Sequence, residues 1–329
     1  MTPQLPVQFT DILHARRNLQ AYLRPTPLHP YPALSAMTGA DIWIKHENHQ
    51  PVGAFKVRGG VHLVSQLSPE QRRKGIIAAS TGNHGQSVAY AARLFNARAI
   101  IAVPENANPA KVASMRHLGA EVIFHGQDFD EAREWVEQEA SKQGYRYIHS
   151  GNEPHLIAGV GTYALEMLEA QPDLDVIIVP VGGGSGAAGT CIAAKTINPA
   201  IQVIGVQAEA APAAWRSWQA GHAVDAEMHT FAEGLATRTA FEMPQQIMRH
   251  YLDDFILVSE DELRRAVIIL LAHTRNLAEG AGAASLAAAL KLRQTLAGKK
   301  VGLVLSGGNM SIDRLRDLLA AEGNPGFKL

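Results

Sequence analysis

Lys56 stands in the stretch Glu47-Asn-His-Gln-Pro51-Val-Gly53-Ala-Phe55-Lys56-Val-Arg58-Gly59-Gly60, among small and apolar residues. Desolvation, or a nearby cation such as Arg58, lowers the pKa of an amine in such a setting. A neutral amine forms a Schiff base with a carbonyl, so this lysine can act as a nucleophile. A single lysine more commonly snorkels at the surface, and Lys56 taken alone stays with that reading.

Three glycine-rich loops carry the other candidate residues: Ser80-Thr-Gly-Asn-His-Gly85, Gly182-Gly-Gly-Ser-Gly186 and Ser306-Gly-Gly-Asn309. Each follows a strand-like run and precedes a helical one. In open α/β sheets, ligands bind at the carboxyl ends of strands. Glycine lets the backbone approach a ligand closely, and a helix N-terminus behind the loop offers free N–H groups and a positive dipole end. The second loop is therefore a credible phosphate cradle. An ordinary strand-to-helix turn is the competing reading for any one loop, and polar residues in all three weigh against it. The second loop also runs into Gly184-Ser-Gly186-Ala-Ala-Gly189, with Glu209 20 positions further on. That is dinucleotide-binding spacing and supports a rival, nicotinamide-dependent oxidoreductase. The rival leaves the other two loops and the lysine stretch unexplained.

The elements that must position these residues alternate in type. Short apolar runs at Ile76–Ala79, Ala99–Val103, Glu121–Phe124, Val176–Val181, Gln202–Gln207, Phe255–Val258 and Lys300–Leu305 read as strands, several covered on both faces. Helices are expected at Gln86–Phe95, Ala110–His117, Ala187–Ile197, Ala281–Leu296 and from near Ile312. This is an α/β pattern with mainly parallel sheet. Ser68-Pro-Glu-Gln71 and Ser259-Glu-Asp-Glu262 fit capping boxes, so their acidic and amide residues are structural. Turn formers cluster at Gly144–Pro154, which suggests a domain boundary there.

Composition excludes several classes of function. With 30 basic against 31 acidic residues, the net charge of −1 and lack of a basic block argue against nucleic acid or anionic membrane as partner. Cys191 is the single cysteine, so no intrachain disulfide or multi-cysteine metal site forms, and a reducing compartment is suggested. The opening MTPQLPVQFTDILHARRN lacks the apolar core of a signal peptide, and the run Ala266–Ala272 is too short to span a bilayer. No G-x-S-x-G or G-K-[ST] motif supports a hydrolase or P-loop reading.

PVGAFKVRGG resembles the P-T-G-S-F-K-x-R-G motif of pyridoxal-phosphate enzymes of fold type II. STGNHGQ resembles that family's S-x-G-N-H loop, VGGGSGAAG its phosphate loop and SGGN its pyridine-nitrogen site. The four occur in the family's order from about Thr26 to Ile312. Among its members the chain is most similar to the serine/threonine dehydratases and serine racemases. The resemblance implies a tryptophan-synthase-β-like fold of two αβα domains with mainly parallel twisted sheets and the cofactor in the cleft between them. Residues 1–51 with 150–329 would form the large domain and 52–149 the small inserted one. It further implies that Lys56 is the Schiff-base lysine and the base for the α-proton. Asn83 would hydrogen-bond the ring hydroxyl, and Phe55 would pack beside the ring. Gly182, Gly183, Gly184, Ser185 and Gly186 would hold the phosphate, and Ser306 the pyridine nitrogen. Ser80, Thr81, Gly82 and His84 would bind the substrate carboxylate. The implied reaction is loss of the β-hydroxyl from an amino acid such as serine or threonine, giving a 2-oxo acid and ammonia. A hydroxyl at the ring nitrogen, unlike a carboxylate, does not hold that nitrogen protonated, which favours elimination over transamination. A cytoplasmic homodimer acting on a small amino acid is expected.

The chain departs from the family pattern in places. Thr81 stands where serine racemases carry the serine that serves the opposite face, which ranks racemase below dehydratase. Racemase-like members bind a divalent cation through carboxylates just after the strand ending near Gln207. Here Gln207 and Ala213 occupy those places, and Glu209 is out of register, so no metal is expected. Ala232-Glu233-Gly234 and Glu279-Gly-Ala-Gly282 resemble family A-D-G and E-P-x-G segments, which makes Gly234 and Glu279 secondary cofactor contacts. The chain as given ends at Leu329 with no room for the regulatory domain of biosynthetic threonine dehydratases, so end-product control through such a domain is not expected. His46 and His49, three apart, are a weak metal signal. Cys191 reads as a core residue, and Trp215 with Trp218 as a core or subunit contact.

Overall fold

A computed structural model describes residues 5–322. Its strands are β1 (Leu28–Pro30), β2 (Asp41–His46), β3 (Ile76–Ala79), β4 (Ala99–Val103), β5 (Glu121–Phe124), β6 (Arg146–Tyr147), β7 (Val176–Pro180), β8 (Gln202–Ala208), β9 (Asp254–Val258) and β10 (Lys300–Leu305). They form two sheets, ordered β1-β2-β10-β7-β8-β9 and β5-β4-β3-β6. Every pairing is parallel except β1 with β2. The chain divides into two compact units. One comprises the described residues of Met1–Pro6, Pro25–Phe55 and Tyr163–Leu329, and the other Val7–Arg24 with Lys56–Thr162. The divisions thus fall after Phe55 and after Thr162, where the sequence placed boundaries after residues 51 and 149, and residues 7–24 group with the smaller unit.

All seven strands read from the sequence are present. The central strands β3, β4 and β7 are continuously apolar because both faces are covered, whereas the edge strand β5 is exposed at both ends. The helix Gly280–Lys291 explains how the larger sheet is covered at such close range. Its residues Gly280 to Ala289 are all buried and nearly all Gly or Ala. The Ser285 hydroxyl lies 3.0 Å from the Ile178 carbonyl and 3.1 Å from that of Val304, so the helix is pinned to the adjacent strands β7 and β10. The capping boxes at Ser68 and Ser259 form as expected. Helix starts differ from the sequence reading. Two helices begin at Asn83 and Ser185, inside the first and second glycine loops, rather than at Gln86 and Ala187, so the loop residues themselves supply first-turn N–H groups; a third begins at Pro109 rather than Ala110. The helix expected over 281–296 breaks at Leu292 into Gly280–Lys291 and Arg293–Leu296.

The larger unit buries an ion pair. Lys45 Nζ lies 2.6 Å from Glu166 Oε2, with the two side chains 1% and 5% exposed. Thr26 ties this pair to a third charge. Its carbonyl accepts from Lys45 at 2.8 Å, its N–H donates to Glu166 at 3.3 Å, and its hydroxyl donates to Glu47 at 2.5 Å. Glu47 opens the segment that leads from β2 to Phe55, so a desolvated network anchors the start of that segment. Lys45→Met removes the cation beside a buried carboxylate, and a loss of roughly 3–5 kcal/mol is expected. A lower urea midpoint would show it, with Lys45→Met/Glu166→Leu recovering much of the loss. An unchanged midpoint for Lys45→Met would mean that the pair contributes nothing.

His46, His62 and His84 are buried, and loss of hydration lowers their pKa values to about 4, about 3 and about 3. The unfolded chain protonates these rings near pH 6.5 while the folded chain does not. Between pH 6.5 and about 4 the unfolded state therefore binds more protons, and stability falls as pH falls. The thermal midpoint should be level above pH 7 and decline from pH 6.5 to 4.5. A flat profile over that window would show these rings charged in the folded protein.

Candidate active site

In the larger sheet, β2, β10 and β7 are consecutive, parallel neighbours. Their carboxyl ends lead into the 47–55 segment, the Ser306–Asn309 loop and the Gly182–Gly186 loop. Chain order reverses between β10 and β7, so these loops leave the sheet at its switch point, where open α/β sheets bind ligands. The first two loops are zipped together. Phe55 N–H donates to the Ser306 carbonyl at 3.0 Å, and Gly308 N–H donates to the Gly53 carbonyl at 2.9 Å. Ala54 and Gly307 form the intervening antiparallel bridge. Asn309 Nδ2 donates to the Val52 carbonyl at 2.8 Å. Gly53 has φ 68°, in the left-handed region, and a Cβ there would lie 2.7 Å from Asn309 Oδ1.

The Gly182–Gly186 loop ends in a helix N-terminus. Gly184 has φ 89° and is the N-cap of helix Ser185–Ile197. Gly186 faces Phe55, whose ring a Cβ would meet at 3.2 Å, and its carbonyl accepts from the Tyr163 hydroxyl at 2.9 Å. Tyr163 in turn makes an edge contact with Phe55, ring centres 6.0 Å apart. On the other side the backbone of Gly182 packs so closely on the Gly234 carbonyl that no side chain fits between them. Gly234 packs on Ala281. Glu279 is the N-cap of the helix pinned to β7 and β10, and its N–H donates to the Gly307 carbonyl at 3.1 Å. Phe55, Gly182–Gly186, Gly234, Glu279 and Ser306 are thus brought into one cluster of the larger unit. Ser185 and Ser306 are 2% and 6% exposed, and neither hydroxyl has a protein hydrogen-bond partner among the described residues. Their hydroxyls are left without a protein partner on residues that are otherwise buried, so both positions are suited to a polar ligand.

The smaller unit holds the remaining candidates. Lys56 is the first residue of helix Lys56–Gln66, and its carbonyl accepts from the Ser87 hydroxyl at 2.6 Å. Ser87 belongs to helix Asn83–Leu94, so this bond ties the Lys56 backbone to the helix that follows the Ser80–His84 loop. That loop leaves β3 at the point where chain order reverses between β3 and β6. Ser80 Oγ accepts from Gly82 N–H at 3.1 Å and Gly85 N–H at 2.8 Å, which fixes the turn. Thr81, Gly82 and Asn83 are half-buried along it. The His84 imidazole points elsewhere: its Nε2 lies 3.1 Å from the Ile148 carbonyl and donates to it. Burial first, and the Lys56 charge second, keep this ring neutral. His84 therefore offers the loop its main-chain N–H rather than a charged side chain.

Several structural residues had no sequence signal. Tyr163 lies mid-helix, and Phe241 fills the space where a side chain on Gly183 would go. The Lys45–Glu166 pair is 121 residues apart in sequence. Other candidates have settled roles. His46 and His49 stack with ring centres 5.1 Å apart, His46 Nε2 lying 2.8 Å from the Tyr31 hydroxyl and His49 Nε2 2.6 Å from Asn276 Oδ1. Cys191 is buried, which pushes its thiol pKa up. Trp215 and Trp218 donate to the Phe255 and Met248 carbonyls at 2.8 and 3.3 Å. Gln207 is buried with both ends of its amide engaged: Oε1 accepts from Trp215 N–H at 2.9 Å, and Nε2 donates to the Leu235 carbonyl at 3.4 Å. Glu209 is exposed.

A sequence profile of the family described as "Pyridoxal-phosphate dependent enzyme" matches residues 19–307. The L-threonine ammonia-lyase of Thermotoga maritima is 40% identical over 310 residues, covering 94% of this chain and 77% of that protein. The L-threo-3-hydroxyaspartate ammonia-lyase of Saccharomyces cerevisiae is 36% identical over 315 residues, 95% of this chain and 97% of that one. Among solved structures, maize serine racemase superposes with a TM-score of 0.91 at 31% identity, covering 96% of this chain and 98% of its own. With the strand-end loops in place and a profile match over most of its length, the chain belongs to the pyridoxal-phosphate-dependent enzymes.

Proposed function

We propose that this protein is an ammonia-lyase that eliminates the β-hydroxyl of threonine, serine or a similar amino acid, yielding a 2-oxo acid and ammonia. The observation that carries this reading is the cluster around Ser306. A neutral hydroxyl, not a carboxylate, is presented at the carboxyl end of β10, beside the phosphate-type loop after β7. The names of the two relatives above agree with it. The residues present fit the cofactor. Gly182–Gly186 at the N-terminus of helix Ser185–Ile197 would hold its phosphate, aided by the Ser185 hydroxyl, and Ser306 would meet its ring nitrogen. Gly234 and Glu279 support that wall, and Phe55 would lie against the ring. Asn83 would hydrogen-bond the ring hydroxyl, and Lys56 would bind the aldehyde carbon. When bound, pyridoxal phosphate supplies the electron sink for charge developing at the substrate's α-carbon.

The chain's own residues do the rest. The Lys56 amine would act as the base that takes the substrate's α-proton. Ser80, Thr81, Gly82 and His84 would line the substrate carboxylate, with the Ser80 and Thr81 hydroxyls and the Thr81 and His84 main-chain N–H groups as its donors, which orients the α-proton. The enamine released after loss of the β-hydroxyl hydrolyses in water to the 2-oxo acid. Serine racemase chemistry is the second reading. It would need Thr81 to serve the face opposite Lys56, and its threonine methyl crowds that place. The run Gly184–Gly189 that mimics a dinucleotide motif is accounted for by packing, since Ser185 to Ala194 are all buried and need small residues. No described helix is long and apolar enough to cross a membrane. A cytoplasmic homodimer is the state proposed for the enzyme.

The purified protein should be yellow, and borohydride should fix the cofactor to Lys56. Lys56→Ala should cut 2-oxo acid formation by roughly 10²–10⁴-fold or more. Unimpaired turnover in that variant would disprove the assigned base. A panel of serine, threonine, hydroxyaspartate and phenylserine, scored for 2-oxo acid and for D-amino acid, separates lyase from racemase and ranks substrates. Because Gln207 already satisfies the Trp215 N–H and the Leu235 carbonyl, no carboxylate stands there to hold a divalent cation. Turnover should change less than about 2-fold with chelator or with added magnesium, an energy difference below that of one net hydrogen bond. Strict magnesium dependence would contradict this role for Gln207.

A further inference from the structure

The loop assigned to the substrate carboxylate has no positive side chain of its own. Residues 80–86 read Ser-Thr-Gly-Asn-His-Gly-Gln. The His84 ring is given to Ile148, and its remaining nitrogen has no hydrogen-bond partner and bears no proton. Two of the loop's main-chain donors, on Gly82 and Gly85, are already taken by Ser80 Oγ. An anion on this loop would therefore rest on few remaining donors and the weak field of a helix N-terminus.

A neighbouring helix supplies the missing charge. Helix Pro109–His117 is capped by Asn108, whose side chain accepts from Ala110 N–H at 2.9 Å and Lys111 N–H at 3.4 Å. Met115 of this helix is fully buried, and a Cβ on Gly85 would lie 2.5 Å from its sulfur. Lys111 stands four residues before Met115, on the same helix face. Its side chain is thus directed to the start of helix Asn83–Leu94. Lys111 Nζ is 3.8 Å, and Cδ 4.0 Å, from the point where a Cβ on Gly82 would be. Glycine at 82 leaves that space open beside the ammonium.

We propose that Lys111 is the cation that binds the substrate's α-carboxylate on the Ser80–His84 loop. This rests on the lyase reading only for the identity of the loop's ligand as an amino acid. A charge-assisted contact of this kind is worth roughly 10- to 100-fold in affinity. The test is binding of L-alanine, which has no β-hydroxyl to lose, and of L-alaninamide to the holoenzyme by titration calorimetry. Lys111→Met should weaken L-alanine by roughly 10-fold or more and L-alaninamide by less than about 3-fold, with the visible cofactor band unchanged. Lys111→Arg should keep L-alanine within a few-fold of wild type, and Lys111→Gln replaces the Met variant if that one misfolds. Equal losses for both ligands, or no loss, would overturn the proposal, as would wild-type enzyme that does not bind L-alanine at all. Selective loss of L-alanine in a protein that forms no 2-oxo acid from any β-hydroxy amino acid would leave Lys111 in place and remove the lyase reading.

Discussion

Two main-chain hydrogen bonds govern the larger unit's functional end: Phe55 N–H to the Ser306 carbonyl, and Gly308 N–H to the Gly53 carbonyl. They join the segment after β2 to the loop after β10, one residue before Lys56. Main-chain bonds make a stiffer brace than side chains, since no rotamer has to be ordered first. Everything adjoining this bridge is then forced to be small. Gly307 must leave room for Glu279 Oε1, Gly282 lies against the Gly307 carbonyl, and Gly53 must take a positive φ. The buried Thr26–Lys45–Glu166–Glu47 network braces the same segment from its other end. A charged network is a poor source of stability compared with apolar packing, and its value here lies in fixing where the segment begins.

Electrostatics in the smaller unit are arranged by withholding charge as much as by placing it. His84 is kept neutral by burial and by the Lys56 charge. A cationic imidazole there would compete with Lys56 for any anionic partner and raise the cost of a second amine charge nearby. Keeping the ring neutral leaves lysines, on separate helices, as the unit's positive groups toward its loop. That division agrees with a chain whose net charge is only −1: the fields that matter are local.

Much of this was legible in the sequence, and the pattern of what was not is physical. Fully covered strands such as β3 and β7 announce themselves as apolar runs. β1, β2 and β6 do not. β1 is three residues ending in proline, β6 is two residues, and β2 ends in Lys45 and His46, whose burial depends on partners far away in the chain. The glycines, Ser306 and Lys56 were readable because each lies in a short motif that follows a strand, where residue type and spacing are local features of the sequence. Tyr163, Phe241, Glu166 and Lys111 act through tertiary placement alone, and nothing in their neighbouring sequence marks them. Helix starts were misjudged by two or three residues at Asn83 and Ser185 because a loop that feeds N–H groups to a ligand is, by necessity, already the first turn of its helix.

The same reasoning bears on how one fold serves several reactions. The chain shares its fold with a serine racemase, and its glycine loops at the strand ends are fixed by close backbone approach. Gly182 against Gly234 and Gly282 against Gly307 leave no space for variation in side chains. Side chains rather than backbone approach set the remaining features: the hydroxyl type at 81, the amide at Gln207, the cation at 111. Thr81 and Lys111 are partly exposed and can change without disturbing the core, whereas Gln207 is buried and its replacement must also meet the Trp215 N–H and the Leu235 carbonyl. The glycines that first mark this sequence are therefore the sterically constrained part of the molecule, and the chemistry of a particular enzyme rests on the few polar side chains placed around them.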